Sequence, residues 1–163
     1  MKTELEFQPF DCFAPGTISA LLKDAYRFDP RYERDFYAAW EDSDRFFDTH
    51  PQIARQCGFV TVLEQKPIGF LCWDNRKMPE LVELGHNCII SEFQGRGYGK
   101  AQLLEAVNRL QRLHIKKITV TTNRQLIAAQ KNYENVGFRL TGSRRADHLP
   151  EYAQELMEYV LIL

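Results

Sequence analysis

The stretch Gln94-Gly95-Arg96-Gly97-Tyr98-Gly99-Lys100 places three glycines among amide and cationic side chains. An apolar run, Cys88-Ile89-Ile90, precedes it, and Leu103, Leu104, Val107 and Leu110 follow at helical spacing. Strand, glycine turn and helix start is the sequence form of a phosphate cradle. Glycines adopt backbone angles closed to other residues, and the N–H groups of a helix start then face an anion. Two familiar phosphate loops do not fit. A P-loop needs four residues between its glycines and then Lys-Ser/Thr, whereas Gly95 and Gly99 have three between them and Lys100 precedes Ala101. A dinucleotide fingerprint needs G-x-G-x-x-G, and the spacing here is G-x-G-x-G. A plain glycine-rich turn remains the alternative on these residues alone.

The rest of the composition restricts the chemistry. A chain of 163 residues suits one domain spanning residues 1–163. Its 44% apolar and 26% charged residues are ordinary for a soluble globular protein. A net charge of −1 argues against general attraction to nucleic acid or to a membrane surface. No apolar run reaches bilayer length and Met1–Glu6 has no signal-peptide core, so the expected compartment is the cytoplasm. Cys12, Cys57, Cys72 and Cys88 are irregularly spaced and expected to be reduced, and no Cys or His pair has ligand spacing, so no metal is expected.

The elements that must position the glycines read as follows. Leu5–Phe10 is a first strand ending near Pro9. Thr17 is an N-cap for a helix with Ile18, Leu21, Leu22 and Ala25 on its buried stripe. A second helical stretch from Pro30 to about His50 carries Tyr32, Phe36 and Trp40, with a break expected at Asp42-Ser43-Asp44. Its aromatics and acids are either a core stripe with a solvated face or the lining of a pocket for a cationic substrate. Gly58–Leu63 and Ile68–Trp73 form a hairpin across Glu64–Pro67, and Leu81–Ile90 is a third long strand entering the glycines. After the glycines come a helix to about His114, a strand Ile118–Thr122, a helix Leu126–Val136 capped by Gly137, and strands Phe138–Arg144 and Glu158–Leu163. The apolar last strand could pair across a homodimer. The order implies an α/β chain (α+β by some schemes) with a single mixed sheet and helices on both faces.

Two motifs now stand in order: Gln94-x-x-Gly97-x-Gly99 between strand and helix, then Ala129-x-x-x-Tyr133-x-x-x-Gly137-Phe138. Together with the element order, they resemble the GNAT superfamily of N-acetyltransferases, specifically from about Phe59 to Phe138. The resemblance implies a mostly antiparallel sheet of six to seven strands and acetyl-CoA as co-substrate. It implies that Asn87, Cys88, Ile89 and Ile90 contact the pantetheine arm, on a strand that splays from its neighbour. Gln94, Gly95, Arg96, Gly97, Tyr98, Gly99 and Lys100 would cradle the pyrophosphate. Asn123 resembles the family asparagine that contacts the cofactor. Members commonly hold that asparagine seven residues ahead of the tyrosine, whereas Asn123 and Tyr133 are ten apart.

Acetyl transfer needs a deprotonated amine, since an alkyl ammonium has a pKa near ~10. It also needs a stabilised oxyanion, here assigned to a backbone N–H near Ile89, and a protonated leaving thiolate. Tyr133 matches the family tyrosine and suits the last of these roles, because a phenol of pKa about 10 can protonate a thiolate whose acid has pKa about 8.5. Glu83 stands where some members carry a base glutamate acting through water, and Glu92 is the fallback. A glutamate in an apolar site has a raised pKa. The function expected is N-acetylation of a primary amine on a small molecule or peptide by direct attack. A non-catalytic acyl-CoA sensor on the same fold, or use of longer acyl groups, are the alternatives.

Overall fold

The computed structural model describes residues 4–163, so Met1–Thr3, on which part of the N-terminal reading falls, lie outside the described residues. In chain order the elements are β1 (Leu5–Gln8), α1 (Thr17–Ala25), α2 (Pro30–Thr49), α3 (Pro51–Gln56), β2 (Gly58–Leu63), β3 (Lys66–Asp74), β4 (Val82–Ile89), α4 (Tyr98–Arg112), β5 (Lys117–Asn123), α5 (Ile127–Val136), β6 (Arg139–Arg145) and β7 (Glu155–Ile162). The seven strands form one sheet ordered β1-β2-β3-β4-β5-β7-β6. β4 and β5 run parallel, while β1/β2, β2/β3, β5/β7 and β6/β7 are antiparallel. This is the mixed, mostly antiparallel α/β sheet expected, at seven strands.

The chain divides into two compact units, Met1–Cys72 with His86–Gln102, and Trp73–Gly85 with Leu103–Leu163. In the first unit, β2 is buried along its whole length, including Thr61, whose hydroxyl donates to Gln102 Oε1 at 2.7 Å. Its turn into β3 is shorter than expected. Glu64 and Gln65 both take positive φ, 48° and 67°, so Leu63 pairs directly with Lys66. A two-residue turn of that hand matches the twist of the strands it joins.

The helices of this unit correct two expectations through one residue. Thr17 does not cap α1: its Oγ1 donates to the Ala14 carbonyl at 2.7 Å. The N-cap is Gly16 at φ 92°, and the acceptor is the buried carboxylate of Asp44 on α2. Asp44 takes N–H bonds from Gly16 at 2.9 Å and from Ser19 at 2.8 Å. For the same reason α2 has no break at Asp42-Ser43-Asp44. Asp44 looks inward to the orphan amides of another helix instead of turning its own backbone. The aromatics of α2 split. Tyr32 and Trp40 are buried, and Tyr26 stands 5.0 Å and 5.5 Å from their ring centroids. Glu41, Asp42 and Asp48 are exposed. α3, started by Pro51, and the 3-10 turn Phe10–Cys12 that shortens the first strand are additions to the expected order.

In the second unit β5 pairs with β4 from Val82 to Leu84 and with β7 from Asn123 to Lys117. β7 also pairs with β6, from Arg139↔Val160 to Arg145↔Glu155. The last strand therefore lies inside the sheet, with ladder partners on both sides from Leu156 to Val160, and is not the sheet edge that pairing with a second copy would use. α5 ends at Gly137, φ 111°, as expected. Gly137 N–H donates to Glu134 O, and Phe138 N–H donates to Tyr133 O at 3.0 Å.

Candidate functional site

In the first unit, the second half of β4 leads through a 3-10 turn, Ser91–Phe93, into the glycine loop. The turn is fastened to the end of α1. Ser91 N–H donates to Asp24 Oδ1 at 2.8 Å, and Ser91 Oγ donates to Asp24 O at 2.7 Å. Gln94 continues the fastening: its Nε2 donates to Ile89 O at 2.7 Å and to Ala25 O at 3.2 Å. Its side chain is thus committed to the scaffold, and what it offers a ligand is backbone.

Gly95 and Gly97 have φ of 73° and 89°, and a Cβ at either would meet nothing within 4 Å. The glycines are needed for backbone conformation, and the space before them is open. Left-handed residues alternating with ordinary ones turn successive N–H groups to one side, which makes an anion-binding concavity. The helix begins here, with Ala101 N–H bonding Gly97 O at 3.1 Å. The N–H groups just ahead of it belong to the first turn, which has no intrahelical acceptors. The loop therefore has the backbone form of an anion-binding turn at a helix start. Arg96 lies over the Phe93 ring, 5.6 Å from its centroid, and Lys66 Nζ lies 5.2 Å from the same centroid. Lys66 also bonds Glu92 at 2.9 Å, and this bond holds the exposed Glu92 carboxyl below the usual range. That makes Glu92 a weaker proton acceptor than an ordinary glutamate.

Residues 86–90, from the end of β4 to the 3-10 turn, differ in their partners. Ile90 N–H donates to Ile68 O at 2.8 Å and Ile90 O accepts from Phe93 N–H at 3.0 Å, so both its backbone groups are engaged. Cys88 is buried, and burial pushes its thiol up to about 12. Asn87 is half-buried and its Oδ1 accepts from Gln102 Nε2 at 2.7 Å. His86 faces the other way, with Nε2 3.2 Å from Ser43 Oγ and its ring 6.0 Å from that of Phe70. Burial lowers the pKa of His86, which keeps it neutral at physiological pH.

In the second unit, Glu83 sits on β4 opposite Thr119 with its side chain exposed. Asn123 ends β5 and is buried. Its Oδ1 accepts from Gln125 N–H at 2.9 Å, while its carbonyl accepts from Leu126 N–H at 3.0 Å. This Asx turn leads the chain from β5 through Arg124–Leu126 into α5. Tyr133 is buried on α5, with ring centroids 5.5 Å from Phe138 and 6.0 Å from Tyr159. Among the described residues no group of three or more His, Cys, Asp or Glu side chains could hold a metal ion, and no helix is long and apolar enough to cross a membrane.

Residues 20–138 match the model of the Acetyltransferase (GNAT) family. The chain belongs to that family. Among solved GNAT-like structures, a Salmonella typhimurium protein described as an acetyltransferase, with its cofactor acetyl-CoA, superposes with a TM-score of 0.77 at 13% identity, covering 100% of this chain and 95% of that one. A GNAT-family protein from Desulfovibrio desulfuricans gives 0.74 at 15% identity, covering 98% of each. At these identities the likeness is one of fold. N-acetylaspartate synthetase from Xenopus tropicalis is 29% identical over 102 residues. That match takes in 63% of this chain, which spans only 38% of the frog protein's length. This GNAT chain carries one polar feature that its sequence signals only faintly. Gln102 is fully buried at the spacing of Ala106 and Leu110, so a polar residue on an apolar stripe was the available signal.

Proposed function

We propose that the chain transfers the acetyl group of acetyl-CoA to a primary amine of a small molecule or peptide by direct attack. The observation that supports this reading is the loop opening α4, where Gly95 and Gly97 take positive φ just ahead of the helix start, with open space beside both. In this reading the backbone from Gly95 to Lys100 holds the pyrophosphate, with Arg96 and Lys100 adding charge. Asn87–Ile89 hold the pantetheine arm. Glu83, through a water, takes the proton of the attacking ammonium. The amine nitrogen bonds the acyl carbon and gives up its second proton to solvent, the carbon–sulfur bond breaks, and Tyr133 gives its phenol proton to the departing thiolate before regaining one from solvent.

The frog relative's name places aspartate among the amines worth testing, beside alkyl amines, polyamines and peptide N-termini. Purified protein with acetyl-CoA and this panel should release free thiol in an amine-dependent manner, read with a thiol-reactive dye. Binding of acetyl-CoA without thiol release from any amine would overturn the enzyme reading and leave an acyl-CoA sensor. A dimer, if sedimentation finds one, would have to use a surface other than the edges of β7.

A further inference from the structure

The sheet of the second unit has one packed face and one open face. Along β5, Ile118, Val120 and Thr122 are buried, while Lys117 is exposed and Thr119 and Thr121 are half-buried. Successive strand residues point to opposite faces, so the first three share the packed side and the other three the open side. Ile162, opposite Lys117, is 71% exposed. Residues opposite one another on neighbouring strands share a face. Glu83 stands opposite Thr119, Thr119 opposite Val160, and Val160 opposite Arg139. These four form one row across β4, β5, β7 and β6 on the open face. Thr119 and Val160 in its middle are half-buried, and Glu83 and Arg139 at its ends are exposed.

The row therefore carries an acid at one end and a base at the other. The Arg139 guanidinium has no ion-pair partner among the described residues. Arg144 differs, because its Nε donates to Glu158 at 2.7 Å. Arg76 lies within reach of the Glu83 charge, yet its guanidinium is held by Asp74 at 2.6 Å. Neighbouring strands lie about 4.8 Å apart, so three intervals separate the ends of the row by about 14 Å. An extended peptide advances about 3.5 Å per residue. With its N-terminal ammonium at Glu83, it would bring the side chain of its fourth residue to Arg139.

We propose that the open face of the second unit takes the acceptor as a peptide laid across the strands, its N-terminal amine at Glu83 and an acidic fourth residue at Arg139. This rests on the reading above in which Glu83 receives the amine. Charge selects the occupant at both ends: a blocked N-terminus gives Glu83 no cation, and a basic fourth residue sets like charge against Arg139. Lys117 lies on the same face, one strand from Glu83 and two residues along, a separation of about 8 Å. It stands beside the path of the second residue and does not read the fourth.

NMR titration of isotope-labelled protein with tetrapeptides, without acetyl-CoA, reads both the place and the strength of binding. Amide shifts should centre on the row from Glu83 to Arg139. Aspartate at position four should bind about threefold tighter than asparagine there, an advantage lost in about 0.5 M salt because both ends of the row are exposed. Acetylating the peptide's amine should cost a similar factor. Arg139→Glu should reverse the preference, favouring lysine over aspartate at position four, whereas Lys117→Glu should leave the aspartate preference in place. An arginine needed only for the fold would instead weaken every peptide alike. Equal binding of the aspartate and asparagine peptides, or of no peptide at all, would overturn the inference. So would an aspartate preference that survives Arg139→Glu or that Lys117→Glu removes. Charge-selective binding on the row with no thiol release from the same peptides and acetyl-CoA would uphold the peptide site and sink the transfer reading.

Discussion

Gly69→Ala puts the packing between β3 and β4 to a direct test. Gly69 is not among the glycines with positive φ, so alanine is acceptable to its backbone and any penalty comes from contacts. The added Cβ would collide with Cys88 O, a backbone atom, and approach Ile89 Cδ1 to 2.7 Å and Gln102 Oε1 to 3.0 Å. The Ile89 methyl can rotate away; the Cys88 carbonyl can move only with β4. Overpacking of this kind costs about 1–3 kcal/mol. Moving β4 also loosens Gln102 Nε2→Cys88 O at 3.2 Å and Ile90 N–H→Ile68 O at 2.8 Å, each worth about 1 kcal/mol. The total is about 3–5 kcal/mol, or a melting temperature lower by roughly 6–20 °C for a chain of this size. Calorimetric or dichroism melting reads the stability and titration with acetyl-CoA reads the affinity, which should also fall because Asn87–Ile89 are displaced. A variant melting within about 2 °C of the parent, with unchanged affinity, would refute the claim that Gly69 sets the β3–β4 approach.

Three further outcomes follow from the site. Gly97→Glu forces a side chain onto φ 89° and brings negative charge to the anion cradle, so acetyl-CoA binding should vanish in titration; retained affinity would put the cradle elsewhere. Tyr133→Phe should lower kcat by about 10²-fold with cofactor affinity little changed, measured by thiol release, and an unchanged kcat would remove Tyr133 from the mechanism. Burial lowers the folded-state pKa of His86 below its unfolded value of about 6.5, so the unfolded chain takes the proton first. That stability is complete above the unfolded value and is lost as pH falls toward the folded one; melting between pH 7 and 5 should therefore drop more steeply in the parent than in His86→Gln.

What could be read from sequence was what a residue imposes on its own neighbourhood. Gly95 and Gly97 signalled backbone angles, and both adopt them; Gly137 signalled a helix end, and α5 ends there. Gly58–Leu63 signalled a strand through its β-branched and aromatic residues, and β2 has those bounds. The errors lie where a residue serves a distant segment. Asp44 belongs to the residue types that break helices locally, yet its carboxylate completes α1, twenty-eight positions back at Gly16. The last strand was assigned correctly as strand but wrongly as an available edge, since the placing of β7 between β5 and β6 is a property of the sheet and not of its own residues. At the candidate site the same division holds. The loop's backbone angles are local and follow from its glycines, whereas buried Gln102 finds its partners at Asn87, fifteen positions back, and at carbonyls on both β3 and β4. A polar residue on an otherwise apolar helical stripe is the trace such a network leaves in sequence. It marks where to look for a partner without naming it, because the partner is chosen by which strands the fold brings beneath the helix.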